Sequence, residues 1–73
     1  MTRESLVEGV KSRLCRLRAA EVSASSCGDY ATADAMFRDY ATTRKMALTV
    51  AKEWRTLGRR ALASVMERTA NAV

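Results

Sequence analysis

The sequence predicts an all-α fold, an antiparallel helical hairpin with a long second helix, and three observations lead there. The 73 residues contain no proline and only three glycines, while Ala, Leu, Arg, Glu and Met are abundant, a composition that favours helix. Apolar residues recur at spacings of three and four in both halves of the chain, which places them on one helical face in each. A single stretch, Ser25-Ser26-Cys27-Gly28-Asp29, has turn chemistry. Glycine suits the left-handed position just past a helix end, and the aspartate after it can accept from the free amides of the next helix. With almost no loop between them, the two helices become antiparallel neighbours.

The first helix is expected over about residues 3–27. Thr2 or Ser5 can cap it, and Ser5 with Glu8 has capping-box spacing. Its apolar stripe is Leu6, Val10, Leu14, Leu17, Ala20 and Ala24, with Val7 alongside and Glu21 at the edge. The turn occupies 28–29, and the second helix runs from Tyr30 to about residue 70. One uncharged seam follows Met36, Tyr40, Thr43, Ala47, Val50, Trp54, Leu57 and Ala61, alternating steps of four and three in the rhythm of a coiled coil. Phe37, Leu48, Ala51 and Leu62 widen it. The last residues, Thr69 to Val73, are expected to fray.

The two helices differ in length. The first can pair with the second only as far as about residue 54, at equal rise per residue. The remainder, Arg55 to Val73, still carries Leu57, Leu62, Val65 and Met66, an apolar surface that is a liability if left exposed. A break at Gly58 would let a short third helix fold back. Alternatively the helix continues, at a cost of about 1 kcal/mol for the glycine, and packs against a second copy. A core this small supplies little stability, and most small oligomers are twofold dimers. The expectation is therefore a homodimeric helical bundle with Gly58 as the place for a kink. Leu14, Leu17, Phe37, Val50, Leu57, Leu62, Val65 and Met66 are assigned to the core or the dimer contact.

Enzyme chemistry has little to stand on. The chain has no histidine, no Gly-rich phosphate loop and no carboxylate cluster at metal-ligand spacing. Asp34 and Asp39, five apart, fall on different helical faces. No catalytic residue, metal or cofactor is assigned. Cys15 and Cys27, if on one helix, stand about 18 Å apart at 1.5 Å per residue. A disulfide needs Cα atoms within about 7 Å, so both are expected as reduced thiols, Cys15 partly buried. No apolar run approaches the roughly 20 residues of a membrane span, and no targeting signal is visible, so a cytoplasmic location without a membrane partner is expected.

The net charge is +5, from thirteen basic and eight acidic residues. Such a balance suits an acidic partner surface or nucleic acid. The basic residues gather as Lys11, Arg13, Arg16 and Arg18 in the first helix and Lys52, Arg55, Arg59 and Arg60 further on, interrupted by carboxylates. Solvated helix faces account for most of them. Tyrosine, tryptophan and arginine dominate interface energetics, which makes Tyr40, Arg44, Trp54, Arg55 and Arg59 the partner-binding candidates. The reading is a small protein-binding inhibitor or adaptor. The alternative is a basic RNA- or DNA-binding regulator of the helical-hairpin type, as in the Rop-type plasmid copy-number regulators.

A helix, the stretch Cys27-Gly28-Asp29-Tyr30-Ala31-Thr32-Ala33-Asp34-Ala35 and a longer basic helix together resemble the small early proteins of temperate Pseudomonas phages, above all their anti-activators of quorum sensing. Small anti-CRISPR proteins are similar in the same respects. The resemblance implies a helical-hairpin dimer acting in the host cytoplasm. Its partner would be a host protein, a LuxR-type transcription regulator or the pilus-assembly ATPase. It assigns no role to any residue.

Overall fold

Two glycines divide the chain. Gly28 and Gly58 both have positive φ, +77° and +81°, the left-handed backbone that glycine adopts without penalty. Each closes the helix before it with the same pair of hydrogen bonds. The Asp29 amide donates to the Ala24 carbonyl at 2.9 Å and the Gly28 amide to Ser25 at 3.1 Å; the Arg59 amide donates to Trp54 at 2.8 Å and the Gly58 amide to Arg55 at 3.1 Å. Both sets satisfy carbonyls that a helix end leaves without partners. In the computed structural model, which describes residues 2–72, the result is α1 (Arg3–Ser26), α2 (Tyr30–Thr56) and α3 (Arg60–Ala72).

The starts are set differently. Thr2 caps α1, its Oγ1 accepting from the Ser5 amide at 3.0 Å, and Ser5 itself lies inside the helix. Asp29 caps α2, its Oδ1 accepting from the Thr32 amide at 3.2 Å. Hydrogen bonds from the Thr32 side chain and then its backbone amide hold the Asp29 carboxyl below the usual carboxylate range. At the head of α3 stands Arg59, whose guanidinium can only donate.

The second helix expected to reach about residue 70 thus ends at Thr56, and the segment after Gly58 is a third helix. Continuing through Gly58 would itself cost about 1 kcal/mol and leave Met66 in water. Folding back buries Met66 completely, together with Ala63 and Ala70. These three join Val7, Ala47, Ala51 and Trp54 in one cluster, with Leu6, Val10, Leu48, Val50 and Leu62 packed around it. The alanines let the helices approach closely, while Trp54, Met66 and, nearer the middle of α1, the fully buried Leu14 fill the volume.

Contacts follow a consistent order. Val7 of α1 clusters with Ala47, Ala51 and Trp54, Arg13 Nε donates to Thr43 Oγ1 at 3.2 Å, and the Arg18 guanidinium lies over the Tyr40 ring. Rising numbers on α1 therefore meet falling numbers on α2. Helix α3 lies against α2, tied by Arg55–Glu67 at 2.7 Å just past its midpoint and Arg44–Asn71 at 2.8 Å near its end. It covers the half of the molecule remote from Gly28.

Several residues assigned to the core or the dimer contact are not buried within the chain. Phe37 is 50% exposed, because it stands one position off the Met36–Tyr40 seam and α3 ends before reaching it. Leu57 is 68% exposed, since it lies in the turn past Thr56, and Val65 faces partly outward from α3. The uncharged seam stops being one face at Trp54; Ala61 belongs to the next helix and is exposed. Leu17, Val50 and Leu62 are half-buried. Cys15 is exposed, as is Cys27, and both are free thiols. Instead of fraying, residues 69–72 are helical with Ala70 fully buried; Val73 lies outside the described residues.

Candidate protein-binding surface

At about 100° per residue, Phe37, Ala41, Lys45, Leu48 and Lys52 fall on one side of α2, on successive turns. With Tyr40, Arg44 and Thr49 they line an open groove of about 540 Å³. Its floor is apolar. Its three charged lining residues, Arg44, Lys45 and Lys52, are all cations, and no carboxylate lines it. Asp34, in an ion pair with Arg38 at 3.1 Å, lies one turn before Phe37.

Two of the cations' neighbours are held firmly. Asn71 accepts from Arg44 Nη2 and keeps that guanidinium along the groove wall. Tyr40 is only 8% exposed, and the Arg18 guanidinium sits 5.8 Å from its ring centroid, an attractive cation–π arrangement. Arg18 also approaches Glu21 at 3.6 Å, so one cation from α1 serves both a carboxylate and the tyrosine ring.

The five residues proposed from sequence for partner binding do not form one site. Tyr40 and Arg44 share the groove, the tyrosine as part of its floor rather than as a projecting anchor. Trp54 is 7% exposed and belongs to the central cluster, because α3 folds over it. Arg55 pairs with Glu67 and fastens α3 to α2. Arg59 lines a separate hollow at the end of the molecule with Arg3, Leu6, Leu62 and Trp54, the one other candidate it meets. Phe37, Lys45, Leu48 and Lys52 complete the groove and were not among the five. With Ala41 between them, their spacing of four, four, three and four could have revealed them had Phe37 not been assigned to the core or the dimer contact.

Among the described residues, no three of His, Cys, Asp or Glu come together as a metal-binding group. No described helix is long and apolar enough to cross a membrane. No family model, curated protein or solved structure matches the chain.

Proposed function

We propose that this chain is a non-catalytic protein-interaction module, an inhibitor or adaptor. An antiparallel α1–α2 hairpin, braced by α3, presents the groove on α2 to an acidic surface of another protein. The observation that carries this reading is the lining itself: a half-exposed Phe37 and apolar Ala41 and Leu48, framed by Arg44, Lys45 and Lys52 without a carboxylate. An apolar centre excludes water and contributes most of the affinity, while unopposed cations select an acidic partner and speed encounter. Helix-in-groove docking of an acidic amphipathic helix suits this shape. The resemblance of the chain's architecture to the small phage anti-activators makes a host protein, a LuxR-type regulator or the pilus-assembly ATPase, the first partner to test.

The test compares wild type with Phe37→Glu and with Lys45→Glu/Lys52→Glu as baits in bacterial lysate, reading bound proteins by mass spectrometry. A protein retained by wild type and lost from both variants supports the reading. Retention of nucleic acid instead, with affinity falling steeply as salt rises, would favour the RNA- or DNA-binding alternative, since each phosphate contact releases counterions.

A further inference from the structure

We propose that a second cleft, walled by α1 and α2 and floored in part by Met66 of α3, is the docking site for a second copy of this chain. It is lined by Leu6, Val10, Arg13, Asp39, Met46 and Val50, among others. Met46 and Leu48 are two positions apart, roughly 200° around the helix, so this cleft and the basic groove lie on opposed sides of α2. Met46 is 64% exposed, a large flexible apolar side chain without a place in the chain's own core.

Charge selects the occupant. Two copies each carrying +5 repel over most of their surfaces. This cleft is the exception: its charged lining residues are one arginine and one aspartate, on different helices. Arg13 lies level with Thr43, to which it is hydrogen-bonded at 3.2 Å, and Asp39 stands one turn along α2 from Thr43. A twofold axis parallel to the helices sets α1 of one copy against α2 of the other. Arg13 then meets the partner's Asp39 and Asp39 the partner's Arg13, with Val10, Met46 and Val50 closing around them. The face is self-complementary in charge and apolar in between. Size agrees: the molecule extends 45 by 19 Å along its longer axes, enough for the roughly 800 Å² per partner of a standard interface. Helix α3 contributes only Met66 at the floor of the cleft, and both basic grooves remain open.

Sedimentation of the full chain over a wide concentration range tests this directly, with circular dichroism as the folding control. Wild type should dimerise as concentration rises. Met46→Glu, Arg13→Asp and Asp39→Arg should each weaken the dimer roughly a hundredfold, and Arg13→Asp/Asp39→Arg should regain most of the loss. If the doubly reversed chain does not fold, Arg13→Glu/Asp39→Lys takes its place. A monomeric wild type at all concentrations overturns the proposal. So does a dimer indifferent to Met46→Glu, or one that a folded double reversal fails to restore.

Discussion

Replacing Gly58 by alanine probes the feature that most changes the shape of this chain. A Cβ at Gly58 meets nothing within 4 Å, so the cost is conformational rather than a clash. Holding a residue with a side chain at φ +81° costs about 1–2 kcal/mol. Alanine also favours the uninterrupted helix by about 1 kcal/mol over glycine. The balance therefore moves by roughly 2–3 kcal/mol towards a straight α2–α3 helix. Against this stands the burial of Met66, about 1.5–3 kcal/mol for a side chain of that size, with smaller gains at Ala63 and Ala70. The two are comparable, so α3 should be partly undocked, and the strain of about 1–2 kcal/mol in the folded state should lower the melting temperature by roughly 4–16 °C. Gly9→Ala is the control. Gly9 lies inside α1, outside the left-handed region and with open space around it, so alanine there should stabilise by about 0.5–1 kcal/mol. Thermal melts by circular dichroism, with Trp54 fluorescence reporting the cover over its ring, measure both. If Gly58→Ala melts at or above the wild-type temperature while Gly9→Ala behaves as expected, α3 is not held back through Gly58.

Leu14→Ala empties a fully buried site and should cost about 2–5 kcal/mol, enough to unfold much of so small a protein, whereas half-buried Leu17→Ala should cost less; denaturant titration compares them. Tyr40→Ala should lower stability and partner affinity together, because the ring is buried under Arg18, and unchanged melting with lost binding would contradict its place in the floor. Glu67→Ala should change stability by less than about 1 kcal/mol, since the Arg55 pair is half in solvent; a larger loss would mean that this pair, not Met66, docks α3. Asp29 titrates below the ordinary carboxylate value in the folded state, so its capping contribution is complete at neutral pH and lost as pH falls from about 4 through that lowered value. Melting temperatures of Asp29→Asn should accordingly depend less on acid than those of wild type, and parallel acid profiles would refute the cap.

The sequence made the first turn plain and left the second, at Gly58, undecided between a kink and a break. Gly28 is followed by Asp29, whose side chain announces a new helix, whereas Gly58 is followed by Arg59, which cannot cap; yet both glycines adopt the same backbone and the same bonds. What separates them is local chemistry at the following residue, while what folds α3 back is the distant burial of Met66, invisible to a local pattern. Along α1 the expected stripe is the face turned inward: Leu14 is fully buried and Leu6, Val10, Leu17, Ala20 and Ala24 are partly so. On α2 the seam holds from Met36 to Trp54 and fails at Leu57, where the helix has ended. The groove was half legible. Tyr40 and Arg44 stood out by residue type, but Phe37 was assigned to the core or the dimer contact and Leu48 only widened the seam, until the extent of α3 decided which side chains stayed in solvent.

The most direct measurement is the affinity of the groove for its captured protein partner, for wild type and Phe37→Glu, across a range of salt. Phe37 is half-exposed, so the variant should keep its helicity and melting temperature. A half-exposed aromatic anchor in an interface contributes about 2 kcal/mol or more, so affinity should fall at least roughly tenfold, while the wild-type complex weakens only mildly with salt. Equal binding by wild type and Phe37→Glu, or a salt slope as steep as that of phosphate contacts, would contradict a protein-binding groove on α2.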